Sequence, residues 1–388
     1  MGDYKLLKFV ERKGTNSMKW DWLDAMFGRD DLLAMWVADM DIESPECVKQ
    51  ALMRYVDFNV FGYYRAPKSY HEAFVRWERE MHGFDIDPKW ICHIPGVVPG
   101  LYWAVKAFTQ PGDAVAIMTP VYYPFATAIQ DTGRALIEVP LSHSNGRYAM
   151  DLEAFEKALV KHDVKLFILC SPHNPVGRVW TEEELRGVLD ICQRHNVLVV
   201  SDEIHHDLVL PGNKHVVAAT LGDYDDILIT FMSASKTFNL AACGQAFAII
   251  SNPELHETFE RFISELRMNY GHSFSYVAYQ AAYEGGLPWL QELLQLVGEN
   301  YQLLVDGLAE CLPQAVVTPL EGTYLAWVNL ESHLEGRDTK EAMCDTCKLA
   351  VDFGSWFGGS ESDNFIRINL ATSPDNIREA LKRLALLR

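Results

Sequence analysis

The sequence predicts an α/β fold: a large domain with a mostly parallel central sheet covered by helices, then a smaller α+β domain. Three observations carry that expectation. From about residue 95 to 285, short runs rich in Val, Ile, Leu and Phe alternate with helical stretches. Those runs are apolar almost throughout, which is the mark of strands buried on both faces. After Gly285-Gly286 the alternation gives way to one long helical stretch and a few shorter elements. That is the pattern of a separate α+β unit.

In chain order, residues 1–45 hold no convincing long element and form an N-terminal segment packing on the domains. Residues 46–285 form the large domain, with strands predicted at 114–118, 135–139, 165–170, 197–201, 227–231 and 246–250. Among its helices, 181–195 opens on Thr181-Glu182-Glu183-Glu184, where a threonine and a glutamate three residues on can cap each other's backbone amides. Residues 286–388 form the small domain. It is predicted as a helix at 288–311, a strand at 324–328, a helix at 339–351, a strand at 365–370 and a last helix from Pro374.

Composition narrows the function. Of the residues, 49% are hydrophobic and 22% charged, so the chain has material for a core and is not a disordered class. The formal net charge of −19, from 53 acidic and 34 basic residues, repels a phosphate backbone and excludes nucleic acid as the main partner. No apolar run approaches the ~20 residues of a membrane helix. The start, Met1-Gly2-Asp3-Tyr4-Lys5, lacks the apolar core of a signal peptide, and Leu6 stands where a myristoylation motif wants Ser or Thr. The eight cysteines are scattered, several in strand-like runs, as buried free thiols are in a reducing compartment. A cytoplasmic protein is expected.

Three motifs each follow a predicted strand. Ser233-Ala234-Ser235-Lys236-Thr237 lacks the glycines of a nucleotide P-loop but offers a lysine able to form a Schiff base, beside hydroxyls that suit a phosphate. Ser171-Pro172-His173-Asn174-Pro175-Val176-Gly177 is a stiff turn that displays Asn174. Ser201-Asp202-Glu203-Ile204-His205 puts a carboxylate at the end of a parallel strand, where open α/β sheets bind ligands. Taken singly, these are equally a solvated lysine, a plain turn and a helix N-cap. Together, as Asn, Asp and Lys spaced 28 and 34 residues apart, they are far more specific.

At this point the chain resembles the fold-type I pyridoxal 5'-phosphate (PLP) enzymes, the aspartate aminotransferase superfamily. Within it the chain is most similar to the cystathionine β-lyase-like C–S lyases of the class I/II aminotransferase-like branch. The narrower likeness rests on Trp36-Val37-Ala38-Asp39-Met40-Asp41, Phe61-Gly62-Tyr63, Gly96-Val97-Val98-Pro99, Thr119-Pro120-Val121-Tyr122-Tyr123, Thr323-Tyr324-Leu325-Ala326-Trp327, Phe365-Ile366-Arg367-Ile368-Asn369 and the strand-end motifs of Asp202 and Lys236. It runs over nearly the whole chain. The resemblance implies that Lys236 is the Schiff-base lysine and the base at the substrate's Cα. It implies that Asp202 faces the ring nitrogen, Asn174 the ring's 3-oxygen and Tyr122 the ring face, with Tyr123 as the alternative. Ser233, the amides of Val97 and Val98, and Tyr63 from a second subunit would hold the phosphate, and His205 would border the cofactor. Arg367, Asn174 and Ala38 would meet the substrate, a small sulfur-containing amino acid, in a homodimer with shared sites.

Arg367 has a reading of its own. Period-2 alternation puts it on one strand face with Phe365 and Asn369, and an arginine in an apolar strand needs an anion. That anion is a substrate carboxylate or the partner of a structural ion pair. Two departures from the superfamily pattern favour elimination over transamination. No arginine follows Lys236 within Asn239-Leu240-Ala241-Ala242-Cys243-Gly244-Gln245, and His205 stands where many members have tyrosine. An aminotransferase and a PLP-binding regulator with vestigial activity remain the alternatives. No metal site is expected: Cys344-Asp345-Thr346-Cys347 has no second pair, and His205-His206-Asp207 is explained by its neighbour Asp202.

Overall fold

Each of the six apolar runs of the large domain forms a strand, and a seventh joins them. In the computed structural model, residues 4–144, 146–268 and 270–388 are described; Met1, Gly2 and Asp3, read above for a leader, lie outside them. The strands are β1 (Ile91–Ile94), β2 (Ala114–Thr119), β3 (Ala135–Pro140), β4 (Val164–Cys170), β5 (Leu198–Asp202), β6 (Leu228–Met232) and β7 (Ala246–Ile249). Their spatial order is β1-β7-β6-β5-β4-β2-β3. Neighbours from β6 to β3 run parallel, and β7 is antiparallel to both β6 and β1. β1 escapes the sequence reading because its four residues include His93 and it lies at an edge.

Alternate side chains of the central strands enter separate cores on the two faces of the sheet, while Met232 of β6 and Phe247 and Ile249 of β7 join a third. Val115, Ile117, Leu166, Ile168, Val200 and Phe231 pack with helices Val97–Phe108, Pro124–Gln130 and Pro253–Glu265. Ala116, Met118, Phe167, Leu169 and Val199 pack with helices Leu152–His162 and Glu182–Arg194. Burial on both faces explains the uninterrupted apolar runs.

A second sheet of four strands, β8 (Val316–Val317), β9 (Leu325–Asn329), β10 (Asp352–Phe353) and β11 (Phe365–Asn369), has the order β8-β9-β11-β10. The long helix Leu287–Cys311 and the last helix, Pro374–Leu384, accompany it. The helix expected at 339–351 is shorter. It covers Thr339–Glu341, continues as a wide π turn over Ala342–Thr346, and ends where Lys348 turns to φ 53°. Beyond it Leu349–Ala350 extend and pair in parallel with Leu33–Ala34. Burial of Leu349, Ala350 and Val351 among partners distant in sequence outweighs local helix preference. Among the described residues no helix is long and apolar enough to cross a membrane.

Candidate active site

The chain reverses its winding between β2 and β4: β3 lies on one side of β2, and the chain then crosses back to β4 on the other. Such a switch point opens a crevice at the carboxyl ends of the strands. The loops that leave β1, β2, β4, β5 and β6 there supply most of the wall of a cavity of about 210 Å³. Lys236, Asp202, Asn174, Tyr122, His205, Val97, Val98 and Ala38 all line it.

Lys236 sits in the four-residue helix Ala234–Thr237, which directly follows β6 and is N-capped by Ser233. Its Nζ donates to the Ala38 carbonyl at 2.6 Å. Burial lowers its pKa to about 8, with Asp39 and Asp202 resisting and Arg367 assisting. Asp202 closes β5, and its Oδ1 accepts the Ile204 amide at 3.1 Å. Burial pushes this carboxyl up to about 7, because a carboxylate removed from water without a full set of partners resists ionising. His205, also buried, is held well below its ordinary value by burial and by the charges of Lys236 and Arg367. Its ring is therefore neutral.

Asn174 is gripped from two sides: its carbonyl oxygen accepts the Tyr122 amide at 3.1 Å, and its Oδ1 accepts from Arg367 Nη1 at 2.8 Å. That leaves the Nδ2 group to donate. Tyr122 faces the cavity, whereas Tyr123 packs on Trp356 and Phe357. Gly96 enters the helix Val97–Phe108 at φ 152°, a conformation that favours glycine, and Val97 and Val98 at the N-terminus of that helix line the cavity.

Three expected residues stand elsewhere. The Ser233 hydroxyl is fully buried, donates to the Gln245 carbonyl at 2.7 Å and accepts the Ser235 amide; Ser235 is the serine on the cavity wall. Arg367 lies behind Asn174, bonded to it, to the Trp36 carbonyl at 3.3 Å and to Asp352, with its guanidinium over the Phe357 ring. Tyr63 is fully solvent-exposed and borders a different cavity with Tyr64, Arg65, His93, Tyr270 and Tyr276.

Sequence reasoning gave no role to Gln245, Tyr324 and Asp352, and took Ser235 only as one of the hydroxyls beside Lys236, naming Ser233 for the phosphate. Tyr324 donates its hydroxyl to the Ala38 carbonyl that Lys236 also holds. Only Ser235 carried a signal, its place beside the lysine. His206 and Asp207 turn away from the cavity into a buried cluster with Glu78 and His82.

The wall fits the group that the resemblance implies. It combines an amine, a carboxyl short of partners, a free amide donor, an aromatic face and helix N-terminal amides beside a serine, the last pair suited to a phosphate. Lys236 is the one lysine or arginine among the described residues of the wall, so amide dipoles stand where an arginine is absent.

The chain is similar to known proteins in both sequence and fold. The family described as aminotransferase class I and II matches residues 31–384. A relative from Bacillus subtilis, the cystathionine β-lyase PatB, is 38% identical over 97% of this chain and 98% of its own. Cystalysin from Treponema denticola, solved with pyridoxal 5'-phosphate, superposes with a TM-score of 0.94 at 34% identity, covering 100% of this chain and 99% of that one. The PLP-bound C–S lyase from Staphylococcus hominis gives 0.93 at 31% identity, over 100% and 98%.

Proposed function

The chain belongs to the class I and II aminotransferase family, and from that premise we infer a PLP-dependent carbon–sulfur β-lyase that releases a thiol, pyruvate and ammonia from a sulfur-containing amino acid. The observation that carries this is the convergence of Lys236, Asp202 and Asn174 on one cavity at the sheet's switch point. The relative named a cystathionine β-lyase and the structures named C–S lyases support the reaction class.

PLP, when bound, supplies an electron sink for the charge left at the substrate's Cα. Helix amides at Val97 and Val98 and the Ser235 hydroxyl hold its phosphate. Asp202 faces the ring nitrogen, and a cation there draws the carboxyl back from its raised pKa. Asn174 donates through Nδ2 to the ring's 3-oxygen while its Oδ1 orients Arg367. Tyr122 covers one ring face and keeps water off it. Arg367 receives the substrate carboxylate, for which a planar guanidinium is suited. Lys236 Nζ, its proton affinity lowered by burial, takes the proton from Cα; the thiolate then departs from Cβ, and water completes the path to pyruvate and ammonia.

The same reading makes the protein a cytoplasmic homodimer. Phe58, Val60, Phe61, Tyr63 and Phe274 are all exposed, with Phe61 stacked on Phe274; exposed apolar side chains of this kind suit a partner's cover, and Tyr63 then serves the neighbouring site. The deciding experiment incubates the purified protein with cystathionine and no 2-oxo acid. Pyruvate, ammonia and thiol should appear together. Turnover that needs an acceptor and leaves the cofactor as its amine would establish an aminotransferase.

A further inference from the structure

Arg367 already holds a carboxylate of its own chain. In β11 it stands opposite Asp352 of β10, and the two form an ion pair in which both side chains are almost wholly buried. Each has one idle atom: Asp352 Oδ1 and Arg367 Nε lack any hydrogen-bond partner. The rest of the guanidinium is bound on Nη1 by Asn174 and on Nη2 by the Trp36 carbonyl. Charged or titratable groups facing Asp352 are few. Arg367 comes from β11, and Tyr122 and Tyr123 from the loop after β2; the adjoining turn Gly354–Phe357 contributes only rings. Among the described residues Arg367 is thus its one cation. Resting on the reading that Arg367 takes the substrate carboxylate, we propose that Asp352 is a specificity residue, an internal competitor whose presence makes carboxylate binding draw one proton onto its own side chain.

The argument is one of charge. Two carboxylates on one guanidinium leave a net negative charge out of water, and repulsion at low dielectric is strong. The substrate carboxylate stays ionised through its contacts, so relief falls to the acid with an idle oxygen and no second cation. Burial has already pushed Asp352 up to about 6, with Arg367 holding it from rising further. Sharing Arg367 weakens that hold, and the group protonates. The complex then carries more protons than the free protein, so binding is favoured at low pH. Affinity for a carboxylate falls about tenfold per pH unit above the free-state pKa. Below it Asp352 is already neutral and the dependence vanishes.

The probe is 3-(methylthio)propionate, which has the carboxylate and thioether but no amine to displace Lys236. Calorimetry on the holoenzyme, in two buffers of different ionisation enthalpy, measures protons taken up per ligand. Uptake should approach one at about pH 7.5 and disappear at about pH 5. Asp352→Asn should abolish it and tighten binding at about pH 7.5 by up to about thirtyfold. Equal uptake in the wild type and in Asp352→Asn would overturn the proposal, since the proton would then reside elsewhere, as on Asp202. If that variant does not fold, uptake in the wild type that is absent at about pH 7.5 or unchanged at about pH 5 overturns it alone. Arg367→Lys separates the premise. Undiminished binding in that variant discards Arg367 as the carboxylate site and the proposal with it. Binding that is lost there, alongside no uptake in the wild type, discards only the role of Asp352.

Discussion

Asp202 is buried with one backbone amide as its recorded hydrogen-bond partner, and two predictions follow from that poverty of partners. In Asp202→Asn the amide still fills the space but cannot offset a charged ring nitrogen. The purified variant should keep its visible cofactor absorbance and lose about a thousandfold in kcat, about 4 kcal/mol of barrier. The second concerns the cofactor-free protein. A carboxyl whose folded pKa of about 7 exceeds its ordinary value of 3.8 binds more protons folded than unfolded. Stability therefore drops as pH rises through that window, by at most about 4 kcal/mol. Urea midpoints should show cofactor-free Asp202→Asn more stable than cofactor-free wild type at about pH 8, the difference closing toward about pH 4. An unchanged difference across that range would mean Asp202 is not buried as described. Lys236, Asp202 and Asn174 were legible because each lies at the end of an apolar strand or just after one. The choice of Ser235 over Ser233 was not: two residues apart in a tight turn, they point to opposite sides, one to the cavity and one to the Gln245 carbonyl.

Elements whose signals are local behaved as read. The helix Glu182–Arg194 begins with Thr181 Oγ1 accepting the Glu184 amide and Glu184 Oε2 accepting the Thr181 amide. Thr181→Ala should cost about 1 kcal/mol, seen as a lower denaturant midpoint with an unchanged cofactor spectrum; no shift would mean that solvent caps this helix equally well. Elements whose signals are distant behaved otherwise. Residues 349–351 read as helix, yet the sheet partner Leu33–Ala34 draws Leu349–Ala350 into a strand. β1 is too short and too mixed in character to announce itself, and it exists because β7 offers an edge to pair with.

For the whole molecule, Tyr63 is the test. It lies outside the cavity of its own chain, and in the dimer we propose it reaches its partner's site. Lys236→Ala and Tyr63→Arg are each expected to be inactive. Mixed and reassorted in equal amounts, they should recover about a quarter of wild-type activity, since two-fold symmetry puts both lesions in one site of a mixed dimer and none in the other. Native mass spectrometry establishes that mixed dimers formed. If they did and activity stays flat, Tyr63 has no role across subunits.

The sequence by itself determined the fold class, six of the seven strands of the large sheet and the strand-end residues Asn174, Asp202 and Lys236 of the cavity. These depend on short-range facts: apolar runs of strand length, and a polar group at or within a few residues of the point where a run stops. Tertiary structure alone decided that Arg367 faces Asp352 as well as Asn174, and that Tyr324 shares the Ala38 carbonyl with Lys236. Asp352 and Arg367 are 15 residues apart and Asn174 and Arg367 are 193 apart. No local preference encodes such pairs, because a buried charge takes whichever partner the packed chain brings within reach.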